Sequence, residues 1–155
     1  MAQEQAQLVV GMLNLMALRL PLQFDYDIDQ LKRYLALSQE ILKSADGGRQ
    51  TSSELESLSK AVSSGEHTLA RAQASPAELE AAVVDLRGRV SALIEALWQD
   101  GHAASRAPVS QAVLAASKEQ ILRERAWFSP QGWDADPTAY PPIENLIEPS
   151  NDSEQ

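Results

Sequence analysis

Cysteine is absent from all 155 residues, so no disulfide and no thiolate metal site can hold this chain together. Histidine is almost absent. His67 and His102 lie far apart and form neither an H-x-x-x-H nor an H-E-x-x-H pattern, which leaves no histidine metal or catalytic signature. No glycine-rich phosphate cradle and no G-x-S-x-G occurs. Asp25, Asp27 and Asp29 open like a calcium loop, but Gln30 stands where the turn glycine belongs and Ala36 where a bidentate Glu belongs. No metal, no cofactor and no catalytic residue is expected, and therefore no enzyme. No segment alternates apolar and polar residues over the length of a strand, which excludes a sheet and predicts an all-α fold.

Long apolar runs are also missing. The longest, Leu8 to Leu20, contains Asn14 and falls short of the roughly 20 residues that span a bilayer. Its leading residues Gln3, Glu4 and Gln5 lack the basic start of a secretion signal. A soluble, cytoplasmic chain, or one incorporated in a larger assembly, is expected. Positive charge runs out at Arg125. Beyond it come Asp134, Asp136, Glu144, Glu148, Asp152 and Glu154, which carry six of the nine net negative charges and leave −3 on residues 1–125. Nucleic acid and anionic membrane both require a basic footprint, so neither is expected as a direct partner.

What is present is helical. Residues 3–20 place Leu8, Val9, Val10, Met12, Leu13, Leu15, Met16, Leu18 and Leu20 on nearly every face, which predicts a core helix buried on most sides, ended by Pro21. An oligomer contact is the sharper alternative for the same pattern. Residues 27–45 predict a second helix capped by Asp27 with Gln30 at capping-box spacing, and stopped at Asp46-Gly47-Gly48.

The next two helices form a hairpin, residues 52–99. Thr51 and Glu54 have capping-box spacing, and Leu55, Leu58, Val62, Leu69 and Ala72 follow a seven-residue repeat with Gly65 in one slot. Ser75, Pro76 and Glu78 make a strong helix start. Leu79, Val83, Leu86, Val90, Leu93 and Leu97 then recur at 4-3-4-3-4 spacing, a seam that requires a second helix. The short turn makes the preceding helix its antiparallel partner. Gly65 and Gly88 mark either close approach or weak packing. Asp100-Gly101 ends the hairpin, and Pro108 opens a fifth helix to about Phe128.

Composition changes at residue 129. Five of the eight prolines follow it: Pro130, Pro137, Pro141, Pro142 and Pro149. Trp127, Phe128, Trp133 and Tyr140 are half of the aromatics, although disordered tails are poor in them. Ile143, Leu146 and Ile147 would share one face of a single helical turn. These seven residues are the expected partner-binding anchors, with the chain's own bundle as the alternative surface.

The expectation is thus an all-α five-helix bundle, residues 1–128, containing an antiparallel coiled-coil-like hairpin, followed by an extended Pro-rich, acidic-aromatic tail, residues 129–155. Its expected role is non-enzymatic: an adaptor, an assembly factor or a structural subunit of a larger complex such as a viral particle. The expected partner is another protein or a neighbouring subunit, a homo-oligomer included. The alternative is an acidic inhibitor, such as an antitoxin, immunity protein or nuclease blocker, which would meet a basic target with negative charge.

Overall fold

Pro21 does not end the first helix. In the computed structural model, which describes residues 2–71, 73–132 and 136–148, Ala2–Arg19 runs through a 3-10 turn, Leu20–Leu22, directly into Gln23–Ser44. The backbone never leaves the right-handed region, with Arg19 at φ −99° and ψ −28° and Gln23 at φ −59° and ψ −45°. Tightening to 3-10 puts Pro21 at the start of a new turn, where its fixed φ fits and its missing N–H is not required. The two stretches therefore form one helix, α1, with a proximal arm (Ala2–Arg19) and a distal arm (Gln23–Ser44). Asp27, expected as a cap, lies inside it.

Three more helices follow: α2 (Arg49–Ala70), α3 (Pro76–Gln99) and α4 (Ala103–Phe128). Four helices replace the expected five, and no strand occurs among the described residues. Pro108 sits inside α4 rather than at its start, because Ala103 already begins the helix beyond the Gly101 turn.

The chain divides into two units. One comprises residues 27–117; the other combines residues 1–26 with residues 118–155. The described part of the tail thus groups with residues 1–26 and with the end of α4.

In the unit of residues 27–117, the α3 side of the hairpin seam is buried as its periodicity predicts, while on the α2 side Leu55 and Leu69 are only partly buried and Ala72 lies outside the described residues. Leu58, Leu86 and Leu93 are fully buried, and Val62, Leu79, Val83, Val90 and Leu97 nearly so. The α1 distal arm adds Leu31, Leu35 and Ile41 to the same cluster. Gly65 is a point of close approach: a Cβ there would stand 3.0 Å from Leu35 Cδ2 and 3.5 Å from Leu86 Cδ1. Gly88 is the opposite case, with open space around its missing Cβ.

Helix α3 starts with the full capping box. Ser75 Oγ accepts from Glu78 N at 3.3 Å, and Glu78 Oε2 accepts from Ser75 N at 2.8 Å. Arg71 Nη2 donates to the other carboxylate oxygen at 2.6 Å.

Helix α2 takes its cap from a distant residue. Gly48 occupies the N-cap position and supplies no side chain. The carboxylate of Asp100, at the end of α3, accepts instead from Gln50 N at 2.7 Å, Thr51 N at 3.0 Å and Thr51 Oγ1 at 2.6 Å. Thr51, expected to cap, is a fully buried donor. The loops holding Gly47 and Gly101 pair antiparallel, with Gly48 N donating to Asp100 O and His102 N to Asp46 O, both at 2.9 Å. A Cβ on Gly47 would lie 2.6 Å from Gly101 Cα, so the crossing tolerates only glycine.

Leu93→Ala should cost about 2–5 kcal/mol in chemical denaturation, as deletion of a fully buried Leu does. Gly88→Ala should raise stability by about 1 kcal/mol, while Gly65→Ala should not, because the Leu35 methyl must give way. The Ser75 backbone N–H, with Arg71 and the Ser75 hydroxyl, holds the Glu78 carboxyl down at about 2. A carboxyl depressed in the folded state stabilises above its unfolded pKa, and that contribution disappears as pH falls through the folded value. Glu78→Gln should therefore flatten the acid limb of a stability-against-pH curve between about pH 4 and about pH 2.

Candidate interaction surfaces

The tail anchors fold onto their own chain. In the unit of residues 1–26 and 118–155, Ile143 and Ile147 are buried with Ala126, and Leu22, Tyr26, Trp127, Tyr140 and Leu146 pack around them, partly buried. Short 3-10 turns make this geometry possible. Asp136 caps Pro137–Ala139 by accepting from Thr138 N at 3.0 Å and Thr138 Oγ1 at 2.6 Å, bonds that hold its carboxyl below the ordinary range. A second turn, Ile143–Asn145, follows Pro142 and brings Ile143, Leu146 and Ile147 into the same cluster.

Arginines lock the aromatics from above. Arg123, almost fully buried, lies 4.6 Å from the Tyr26 ring centroid and donates from Nη1 to Gln120 Oε1 at 2.9 Å. Arg125 covers Tyr140 at 4.5 Å. Tyr26 meets Trp127 with centroids 4.4 Å apart and planes inclined by 48°. Arg19 crosses from the proximal arm: Nε donates to Trp127 O at 2.8 Å, Nη2 to Ala126 O at 3.1 Å, and Glu144 lies 3.7 Å from Nη1. A cation on the last carbonyls of α4 is the favourable end of the helix dipole. Arg19 and Tyr26 therefore complete the cluster. Their signal in the sequence was limited to the pairing of Arg and aromatic types, which spacing does not reveal.

Of the seven expected anchors, Ile143 and Ile147 are buried, Trp127, Tyr140 and Leu146 are partly buried, and Phe128 remains 47% exposed. Trp133 lies outside the described residues. The same is true of Asp134 and of residues 149–155, which include the last two acids of the tail.

Exposed apolar surface is concentrated elsewhere, on the proximal arm of α1. Leu8, Val9, Val10, Met12, Leu13, Met16 and Leu18, with Leu20 in the turn that follows, are each 52–65% exposed, and among the arm's described large apolar side chains only Leu15 is buried. The expectation of a core helix buried on most sides is thereby corrected. The pattern identified an apolar helix, but apolarity alone does not supply a neighbour on every side. The arm borders the 3-10 turn Ser129–Gln131 and is held through Arg19 at its base.

A shallower apolar surface lies in the unit of residues 27–117. Ile94, Leu97, Trp98, Val109, Val113 and Leu114 line an open groove of about 290 Å³ between α3 and α4. Trp98 and Leu114 are largely exposed, and Arg106 sits 5.2 Å from the Trp98 ring centroid while its Nε donates to Leu97 O at 3.1 Å.

Among the described residues no group of His, Asp and Glu could hold a metal ion. His67 is exposed, and His102 Nδ1 lies 3.0 Å from Asp46 Oδ2 in the loop crossing. No family model matches the chain, and no curated protein or solved structure is significantly similar to it.

Ile143→Ala should lower thermal and denaturant stability by about 2–5 kcal/mol, because it opens a cavity in the only cluster that joins the tail to α1 and α4 among the described residues of that unit. A tail that merely waits for a partner would show no change in the isolated protein.

Proposed function

We propose that this chain is a non-enzymatic protein–protein interaction component: an adaptor, an assembly factor or a structural subunit of a larger complex. The observation that carries this reading is the proximal arm of α1. Eight large apolar side chains more than half exposed on one helix exceed what a monomeric surface normally presents, and contiguous apolar surface of that extent marks an association site. The sequence adds no motif of catalysis or cofactor binding to set against it. The tail supports the same reading by a different route from docking. By packing on residues around Tyr26 and Trp127, it anchors the base of the arm through Arg19. Among the described anchors, Phe128 stays accessible on the same unit.

The inhibitor reading has less support. Asp136 is committed to its own turn and Glu144 faces Arg19, so two of the tail's acids already have partners within the chain.

The test is affinity purification of the full chain from its native source, beside a variant carrying Leu8→Gln, Met12→Gln, Leu13→Gln and Met16→Gln. The wild-type chain should co-elute in a stoichiometric assembly, containing copies of itself or other proteins, and the variant should lose it while keeping the wild-type circular-dichroism spectrum. An arm variant that retains all its associations would remove the basis of the proposal.

A further inference from the structure

We propose that the protein forms a dimer in which the proximal arms of two copies pair along a seam of Val9, Leu13, Met16 and Leu20. This deepens the interaction reading above and rests on it.

The first argument is pattern. These four residues recur at 4-3-4 spacing, with Leu8 and Met12 flanking them. At 100° per residue, Leu8, Val9, Met12, Leu13 and Met16 fall within an arc of roughly 140°, a single continuous stripe. Helix α3 carries the same spacing in Leu79, Val83, Leu86, Val90, Leu93 and Leu97, and there α2 covers it. On the arm the seam is exposed at every one of its positions. A heptad seam is satisfied by a second helix with a similar seam. Helix α4 also exposes Leu114, Ile121 and Phe128 at seven-residue spacing, but Ser117, Lys118, Glu124 and Arg125 occupy the intervening positions, so a second copy of the arm is the matching surface.

The second argument is area. The six on the stripe, Leu8, Val9, Met12, Leu13, Met16 and Leu20, each 52–65% exposed, present on the order of 100 Å² apiece, hence roughly 600 Å². Two such shares make about 1,200 Å², the lower end of the range for a specific, stable interface, so the stripes of two arms suffice to cover one another.

The third is charge. Residues 5–18 contain no charged side chain, so two arms meet without repulsion although each chain carries a net charge of −9. The same composition argues against lipid as the occupant. By length and composition the helix Glu4–Ser44 includes a window apolar enough to cross a membrane. The uncharged stretch, however, extends only about 21 Å, against a hydrocarbon core of about 30 Å. It also contains Gln5, Gln7 and Asn14, and residues 1–18 hold no basic side chain to draw it to anionic headgroups.

The experiment uses the purified full-length chain alone. Sedimentation equilibrium from about 1 to 100 μM should give twice the 16.9 kDa chain mass, with dissociation at the dilute end. Leu13→Glu combined with Met16→Glu should yield a monomer at every concentration with an unchanged helical spectrum. Because the chain has no cysteine, Leu13→Cys provides a unique label: a nitroxide there should show an intermolecular dipolar distance that unlabelled protein dilutes away. A wild-type monomer at 100 μM would overturn the dimer. So would a dimer that survives the double Glu substitution, since its interface would lie elsewhere. Flotation of the wild-type chain with phosphatidylcholine–phosphatidylglycerol vesicles, abolished by the double Glu substitution, would assign the arm to lipid instead. If the chain is monomeric alone but its retention in the native assembly still requires the arm, the dimer falls and the broader interaction reading stands.

Discussion

One loop crossing, built around the Asp100 carboxylate, ties together four helix ends. Asp100 closes α3 and caps α2, satisfying two orphan backbone N–H groups and the buried Thr51 hydroxyl. The same crossing joins the loop after α1 to the loop before α4 through two backbone hydrogen bonds and the Asp46 N–H donated to Ser105 Oγ. Hydrogen bonding from Thr51, with the Gln50 and Thr51 amides, holds the Asp100 carboxyl below its ordinary range, so the cap is charged throughout the neutral pH range. Gly47 and Gly101 allow the backbones to cross at a distance no Cβ would permit. The crossing fixes the start of α2 beside the end of α3, and Leu58, Val62, Leu86 and Leu93 are all buried in one cluster between the helices.

Two seams of the same type have opposite fates in this molecule. The seam on α3 is buried because a short turn returns the chain antiparallel within reach, so little loop-closure entropy opposes the pairing. The seam on the proximal arm of α1 has no such return. Pro21, which would ordinarily separate it from the next helix, is absorbed in a 3-10 turn, so the chain continues as helix. Leaving eight large apolar residues in water forfeits burial of about 1.5–3 kcal/mol for each that could be fully covered. That is a large fraction of the stability of an ordinary domain, and association is the physical means of recovering it.

The tail shows how a proline-rich segment can belong to a fold without regular structure. Pro130, Pro137 and Pro142 start or precede short 3-10 turns instead of interrupting long helices, and few residues are needed because each anchor is large. Tyr26, Trp127 and Tyr140 each lie near an arginine, which keeps the polar ends of a small cluster in contact with charge while Ile143 and Ile147 fill its centre. A patch that would be exposed in an extended chain is thereby covered by its own unit.

Local chemistry determined what the sequence could determine. The all-α class, the hairpin from residue 52 to 99, the capping box at Ser75 and Glu78, and the stops at Gly47-Gly48 and Asp100-Gly101 all depend on spacing within a few residues, and all are visible there. The tertiary structure alone decided the rest. Asp27 and Thr51 had the residue types of caps but not the role, because continuous helix overran the first and a carboxylate 49 residues away replaced the second. Pro21 and Pro108 had the type of helix boundaries, yet a 3-10 turn and an earlier start at Ala103 accommodated them. Above all, the apolar pattern of residues 8–20 shows that the arm must avoid water, but not what it avoids water against. Periodicity records which side chains share a face; only the path of the whole chain decides whether another surface arrives to meet it.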